Sequence, residues 1–219
     1  MTTRPSCRPR SRWAHDQRKR PLDSHQAPSA RRPFPGWTWA WVALAFPIAG
    51  YIGWGISGPV DTVETALLGG ALTGAGLAAV QWWAAKGALG RAAAWIGASA
   101  VAYAAGLAAG AALVGYDTEL GALALMGLVS GGSLGAAQGL VLARQGKRRL
   151  GAAWGAAMPV RFALCWVPTT VIGVSVENQF TVFGAAGAVL FMLLSGLVLA
   201  RFTPSSTRLG VMDAAPDRR

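Results

Sequence analysis

A single arginine, Arg161, stands inside the apolar run MPVRFALCWVP at residues 158–168, with Pro159 and Pro168 on either side. A guanidinium there offers five N–H donors and a fixed positive charge, which suits anion binding or the anchoring of a hydrogen-bond network. Two further polar side chains interrupt apolar sequence, Gln81 and Gln138, and they lie 57 residues apart. Their amides donate and accept hydrogen bonds but do not titrate. Arg161, Gln138 and Gln81 are therefore the candidate polar site. The chain's histidines are His15 and His25, both in the N-terminal tail, so no embedded base is available to activate a nucleophile. The two cysteines, Cys7 and Cys165, have no metal-ligand spacing and imply no disulfide framework. With no metal cluster, phosphate-binding glycine loop or paired acids inside the apolar stretches, the sequence predicts no enzyme, no metal and no cofactor.

The elements that must position these groups are membrane spans. Hydrophobic residues make up 53% of the 219-residue chain and charged residues only 13%, where soluble domains carry about 25% charge. Six stretches reach the roughly 20 apolar residues that a bilayer crossing needs, at 38–57, 63–85, 93–115, 120–142, 153–174 and 180–200. Backbone groups in lipid must be satisfied within the segment, and none of these runs alternates like a barrel strand, so an all-α six-span transmembrane bundle follows.

Charge sets the orientation. Between residues 37 and 201, Asp61, Glu64, Asp117, Glu119 and Glu177 follow spans one, three and five, where they can cap the next helix. Lys86, Arg91, Arg144, Lys147, Arg148, Arg149 and Arg201 follow spans two, four and six. Both termini are thus expected in the cytoplasm, N-in and C-in, in a bacterial-type inner (plasma) membrane. Only Arg161 breaks the segregation. Trp37, Trp39, Trp41, Trp82, Trp83, Trp95 and Trp154 cluster at the basic ends, as an interfacial aromatic belt would.

A repeat organises the spans. QWWAAK begins at Gln81, QGLVLAR at Gln138 and SGLVLAR at Ser195, each 57 residues after the last, while Trp39, Trp95 and Trp154 lead the odd-numbered spans. Each unit is an outward helix, an acidic turn and an inward helix, so three parallel two-helix hairpins make the protein. Gly74-x6-Gln81-Trp82 followed by Trp95-Ile96-x-Ala98-Ser99 resembles the tandem hairpins of a group of uncharacterised bacterial polytopic membrane proteins. The resemblance covers residues 70–175. The second copy, Gly131-x6-Gln138 then Trp154, has Gly139 in place of the paired tryptophan, and the third has Ser195 in place of glutamine. It implies the hairpin architecture and no particular mechanism.

Gly127, Gly131, Gly135 and Gly139 recur every four residues in the fourth span, with Gly70 and Gly74 in the second and Gly106 and Gly110 in the third. Such stripes let helices approach closely, within the chain or between copies. Arg161 has three readings: snorkelling to the headgroups, lining a cytoplasm-facing cavity with Gln138 and Gln81 that takes an anion or lipid headgroup, or closing a buried network. The fragment GISG at residues 55–58 resembles a rhomboid-protease serine motif, but Ser57 has no base. Residues 1–36, with nine Lys and Arg, and 202–219 read as flexible cytoplasmic tails. RRPF at Arg31 resembles a twin-arginine export signal, but no cleavage site follows, so the first span is retained. The expected partners are membrane lipids and either a second copy or another membrane protein, with no nucleic acid. Two function classes stay open, a structural or accessory membrane protein and a small transporter or channel.

Overall fold

The structure is a computed structural model that describes residues 36–85 and 88–202; both tails, with their basic segments, lie outside the described residues. A short helix α1 (Gly36–Trp39) leads into α2 (Trp41–Ser57), followed by α3 (Val63–Ala84), α4 (Ala92–Leu113), α5 (Leu120–Arg144), α6 (Arg148–Val171) and α7 (Ala185–Phe202). Among the described residues, six helices, counting α1 and α2 as one, are long and apolar enough to cross a membrane, and there is no strand. Each long helix packs on its neighbours in sequence, and α7 returns to α2, so the six form a closed ring.

Large aromatic side chains fill the ring. Phe46, Phe162, Phe183 and Phe191 are buried together, with Phe46 and Phe191 centroids 4.5 Å apart and Phe162 meeting Phe191 edge-on at 5.6 Å. The ring is narrow because glycine lets its helices touch. A Cβ on Gly131 would lie 2.8 Å from the Met158 carbonyl oxygen, one on Gly135 2.7 Å from that of Gly155, and one on Gly139 2.7 Å from that of Gly151. The α5–α6 seam is therefore backbone on backbone. Gly127 meets Phe162 and Ala163 on the same seam, Gly70 and Gly74 meet Ala104 and Ser99 across α3–α4, and Gly106 and Gly110 meet Ser130 and Met126 across α4–α5.

Three expectations change. The sixth helix begins at Ala185, not at residue 180. Residues 180–184 instead run irregularly into the acidic end of the ring. There Tyr103 Oη donates to the Thr181 carbonyl at 2.6 Å, Thr181 Oγ1 donates to the Gly50 carbonyl at 3.1 Å, and Phe183 stacks on Phe46 at 4.7 Å. Hydropathy scores such a segment as membrane, but its β-branched and aromatic residues are poor helix formers, and irregular backbone at depth is tolerated where protein satisfies it. The fifth span starts earlier than expected, at Arg148 instead of 153, so Arg161 is about 20 Å along the helix from its basic end and about 15 Å from the other. Finally, the N-cap of α3 is Thr62, in a capping box with Thr65, while Asp61 only accepts from Thr65 Oγ1. Glu119 caps α5 without a side-chain bond.

Gly131→Ala should lower stability in detergent by about 1–3 kcal/mol, the usual cost of overpacking. Gly97→Ala should raise it by about 0.5–1 kcal/mol, because helical alanine is favoured and nothing lies within 4 Å of the new methyl. Thermal unfolding of the two variants reads the contrast directly.

Candidate functional site

Gln138 is the hub of the polar residues inside the ring. Its Nε2 donates to Gln81 Oε1 on α3 at 3.2 Å and to Ser99 Oγ on α4 at 2.9 Å. Its Oε1 accepts from Trp154 Nε1 on α6 at 2.7 Å. One amide thus ties α5 to three other helices. Ser99 completes its own bonding by donating to the Trp95 carbonyl at 2.7 Å.

Arg161 reaches this hub through Trp154. Helical side chains lean toward the N-terminus of their helix, so the guanidinium folds back along α6. Its Nε donates to the Ala157 carbonyl at 3.2 Å and its Nη2 to the Trp154 carbonyl at 3.1 Å. The guanidinium carbon sits 4.8 Å from the centre of the Trp154 indole and 5.5 Å from that of Phe191, distances at which a cation is attracted to a ring face. The carbonyl that Pro159 leaves without its usual amide partner, that of Gly155, faces Gly135 on α5. Arg161 makes no hydrogen bond to Gln138; the two meet through one indole. The side chain leans toward the basic end, as snorkelling requires, yet remains 3% exposed, and Gln81 and Gln138 expose nothing.

The three span-leading tryptophans belong to this core instead of to the interface. Trp39, Trp95 and Trp154 are buried, with Trp154 lying 6.3 Å from Trp39 and 6.1 Å from Trp95 between ring centres. Trp37, Trp41 and Trp83 are exposed. Trp39 Nε1 donates to Ser195 Oγ at 3.0 Å, a bond of the same kind as that from Trp154 to Gln138. The sequence spacing contains this signal, since the polar residues recur at 57 and the tryptophans at nearly the same interval, whereas their position at the basic ends of the spans reads as an interfacial belt. Ser57 donates to the Gly53 and Gly58 carbonyls and contacts none of the polar cluster through a hydrogen bond.

Three donors of the cluster end without a partner among the described residues: Gln81 Nε2, Trp95 Nε1 and Arg161 Nη1. All three are N–H groups. No described residue forms an ion pair with Arg161, and the described acids Asp61, Glu64, Asp117, Glu119 and Glu177 lie in the turns at the opposite end of the ring.

Gln138→Leu should remove three hydrogen bonds at once, leaving Trp154 Nε1 and Gln81 Oε1 without a partner and Ser99 Oγ with only its bond to the Trp95 carbonyl. Interhelical hydrogen bonds in membranes contribute about 0.6 kcal/mol each on average, so a loss of about 2 kcal/mol is expected in detergent unfolding, with a shift in tryptophan emission. Gln145→Ala, at the loop, should cost far less. Comparison with protein-family models, curated proteins and solved structures finds no match for this chain.

Proposed function

We propose that this chain is a multi-pass protein of a bacterial-type inner membrane, built as three parallel two-helix hairpins with both termini cytoplasmic. It acts through helix contacts, as a structural or accessory protein, and catalyses no reaction. The carrying observation is that the polar residues capable of handling a solute are sealed: Gln81 and Gln138 expose no surface and Arg161 almost none. A transport route needs water at such groups, and a zero accessible area means that no water-sized space touches the two amides. The apolar groove between α2 and α3, lined by Trp41, Ile48, Leu72, Gly76 and Trp83 among others, includes none of the three polar residues in its lining.

The hairpin reading draws support from the regular recurrence of Gln81, Gln138 and Ser195 and from the two equivalent tryptophan bonds, Trp154 to Gln138 and Trp39 to Ser195. It agrees with the tandem-hairpin bacterial membrane proteins that the sequence resembles. The orientation rests on the basic loops after even spans and the acidic turns after odd ones. The partners that fit are lipid and either a second copy or another membrane protein, meeting the exposed apolar faces of α2 and α7, where Ile48, Ile52, Leu193 and Leu197 are exposed.

The test is thiol labelling in a Cys7→Ser, Cys165→Ala background, with a membrane-impermeant reagent on cells. Asp117→Cys should label from outside and Gln145→Cys only after permeabilisation. Gln138→Cys should label in neither case until the protein is unfolded in detergent. Reaction of folded Gln138→Cys from the cytoplasmic side overturns the sealed reading in favour of transport, and exchanged labelling of the two turns reverses the topology.

A further inference from the structure

Between α2 and α3 lies a groove of about 470 Å3, within the size range of small-molecule sites. Its shape follows from where the two helices touch. At the acidic end they meet closely: a Cβ on Gly53 would stand 2.9 Å from the Gly69 carbonyl oxygen, and one on Gly69 2.6 Å from Ser57 Oγ. The lining of the groove stops just short of that contact, at Ile52 on α2 and Leu72 on α3. Toward the basic end the small residues Ala45, Ala49 and Gly76 leave the space open, and exposed Trp41 and Trp83 frame it.

Three features say what covers this groove. The first is length. Trp41 to Ile52 on α2 and Leu72 to Trp83 on α3 are each eleven residues, about 16 Å along the helix. One leaflet of hydrocarbon is about 15 Å deep. A transmembrane helix docking here would need a seam along the whole span, and the Gly53–Gly69 contact ends this one partway. The second is chemistry: the two indole nitrogens are the polar side-chain atoms of the lining, and both belong to the end where an amphipathic ring sits at headgroup level. The third is charge. Exposed Arg91, Arg144, Arg148 and Arg149 stand at this end of the ring, and the described acids stand at the other. Arg91 is tied close to the end of α3, because Trp82, the neighbour of Trp83, donates through Nε1 to the Gly90 carbonyl at 2.6 Å. Basic sites between membrane helices take anionic headgroups.

We propose that this groove seats one acyl chain of an anionic phospholipid from the leaflet at the basic end, with its phosphate level with Trp41 and Trp83. The chain lies over Ala45, Ala49 and Gly76 and fills the wedge that α2 and α3 leave between them. This inference rests on the reading of the chain as membrane-spanning with lipid among its partners, and it names which lipid and where.

The test uses the full-length protein in a neutral detergent, offered phosphatidylglycerol or phosphatidylcholine with the same acyl chains, and read by native mass spectrometry and thermal unfolding. One retained phosphatidylglycerol per chain is expected, with a rise of several degrees in the unfolding midpoint and several-fold weaker retention of phosphatidylcholine. Added salt should narrow that preference, since it screens exposed charges. Gly76→Leu fills the floor and should abolish retention. Leu72→Trp, which fills the groove from its wall, decides the matter if Gly76→Leu does not fold. Leu193→Trp, on the exposed face of α7, should retain the lipid as the unaltered protein does. Undiminished retention in the filled variants overturns the proposal, as does equal retention of the two lipids. A dimer that groove filling dissociates, in place of a lipid adduct, overturns it in favour of a second copy. The measurement in detergent does not depend on sidedness, so a reversed thiol-labelling pattern leaves the adduct in place, and a missing adduct leaves the labelling pattern unchanged.

Discussion

A side-chain amide buried between membrane helices must find all of its partners inside the protein, and Gln138 meets that constraint by spending its donors and its acceptor on three different helices. The rest of the core is arranged around this. α3 has to present Gln81, α4 has to present Ser99, and α6 has to present Trp154, all at one level near the basic end. Apolar packing alone does not specify that register in a bilayer, because lipid tails are as apolar as leucine and sliding one helix along another changes little. A hydrogen-bonded hub does, since displacement by one helical turn would leave several buried polar atoms unsatisfied at once.

Such a hub works only at short range, which is why the glycine stripes and the polar cluster are one design. Gln138 lies between Gly135 and Gly139, whose absent side chains let α6 come into backbone contact. Trp154 lies between Gly151 and Gly155, the residues on the other side of that contact. The indole therefore arrives within 2.7 Å of the amide oxygen because the two backbones touch above and below it. Bulk at any of these four glycines would separate the pair before it altered anything polar.

Much of the architecture was legible in the sequence, and the failures share one cause. Hydropathy identified six spans because length and apolar content are what a bilayer demands. It does not distinguish a residue facing lipid from one facing protein, since both are apolar. That is why Trp39, Trp95 and Trp154 read as interfacial anchors when they are core, and why residues 180–184 read as the start of a helix when they fill the ring's acidic end. Gln81, Gln138 and Arg161 stood out for the opposite reason, being costly in lipid. Their neighbourhood was legible, but their pairing was not: the sequence grouped Arg161 with Gln138 and Gln81, and the geometry puts Trp154 between Arg161 and Gln138. Side-chain direction along α6, more than depth, decides which carbonyl the guanidinium reaches.

On the proposed three-hairpin plan, the point where the units stop being equivalent is also the point where the core is chemically incomplete. Trp39 finds Ser195 and Trp154 finds Gln138, but Trp95, whose counterpart by register is Gln81, has no acceptor among the described residues. The reason is the length of the side chains. Ser195 is too short to do more than bond its own tryptophan and the Met192 carbonyl. Gln138 is long enough to hold its tryptophan with one end and reach Gln81 Oε1 with the other, while Trp95 Nε1 has no partner among the described residues. An arrangement with glutamine at all three positions could circulate its hydrogen bonds; two glutamines and a serine leave donors over. Arg161 has no counterpart in the other units, where Ala102 on α4 and Phe46 on α2 stand at the same distance after their tryptophans as Arg161 stands after Trp154. Gln81 Nε2, Trp95 Nε1 and Arg161 Nη1 are thus the buried donors without a partner among the described residues, and each belongs to a residue bonded to or packed on Gln138 or Trp154.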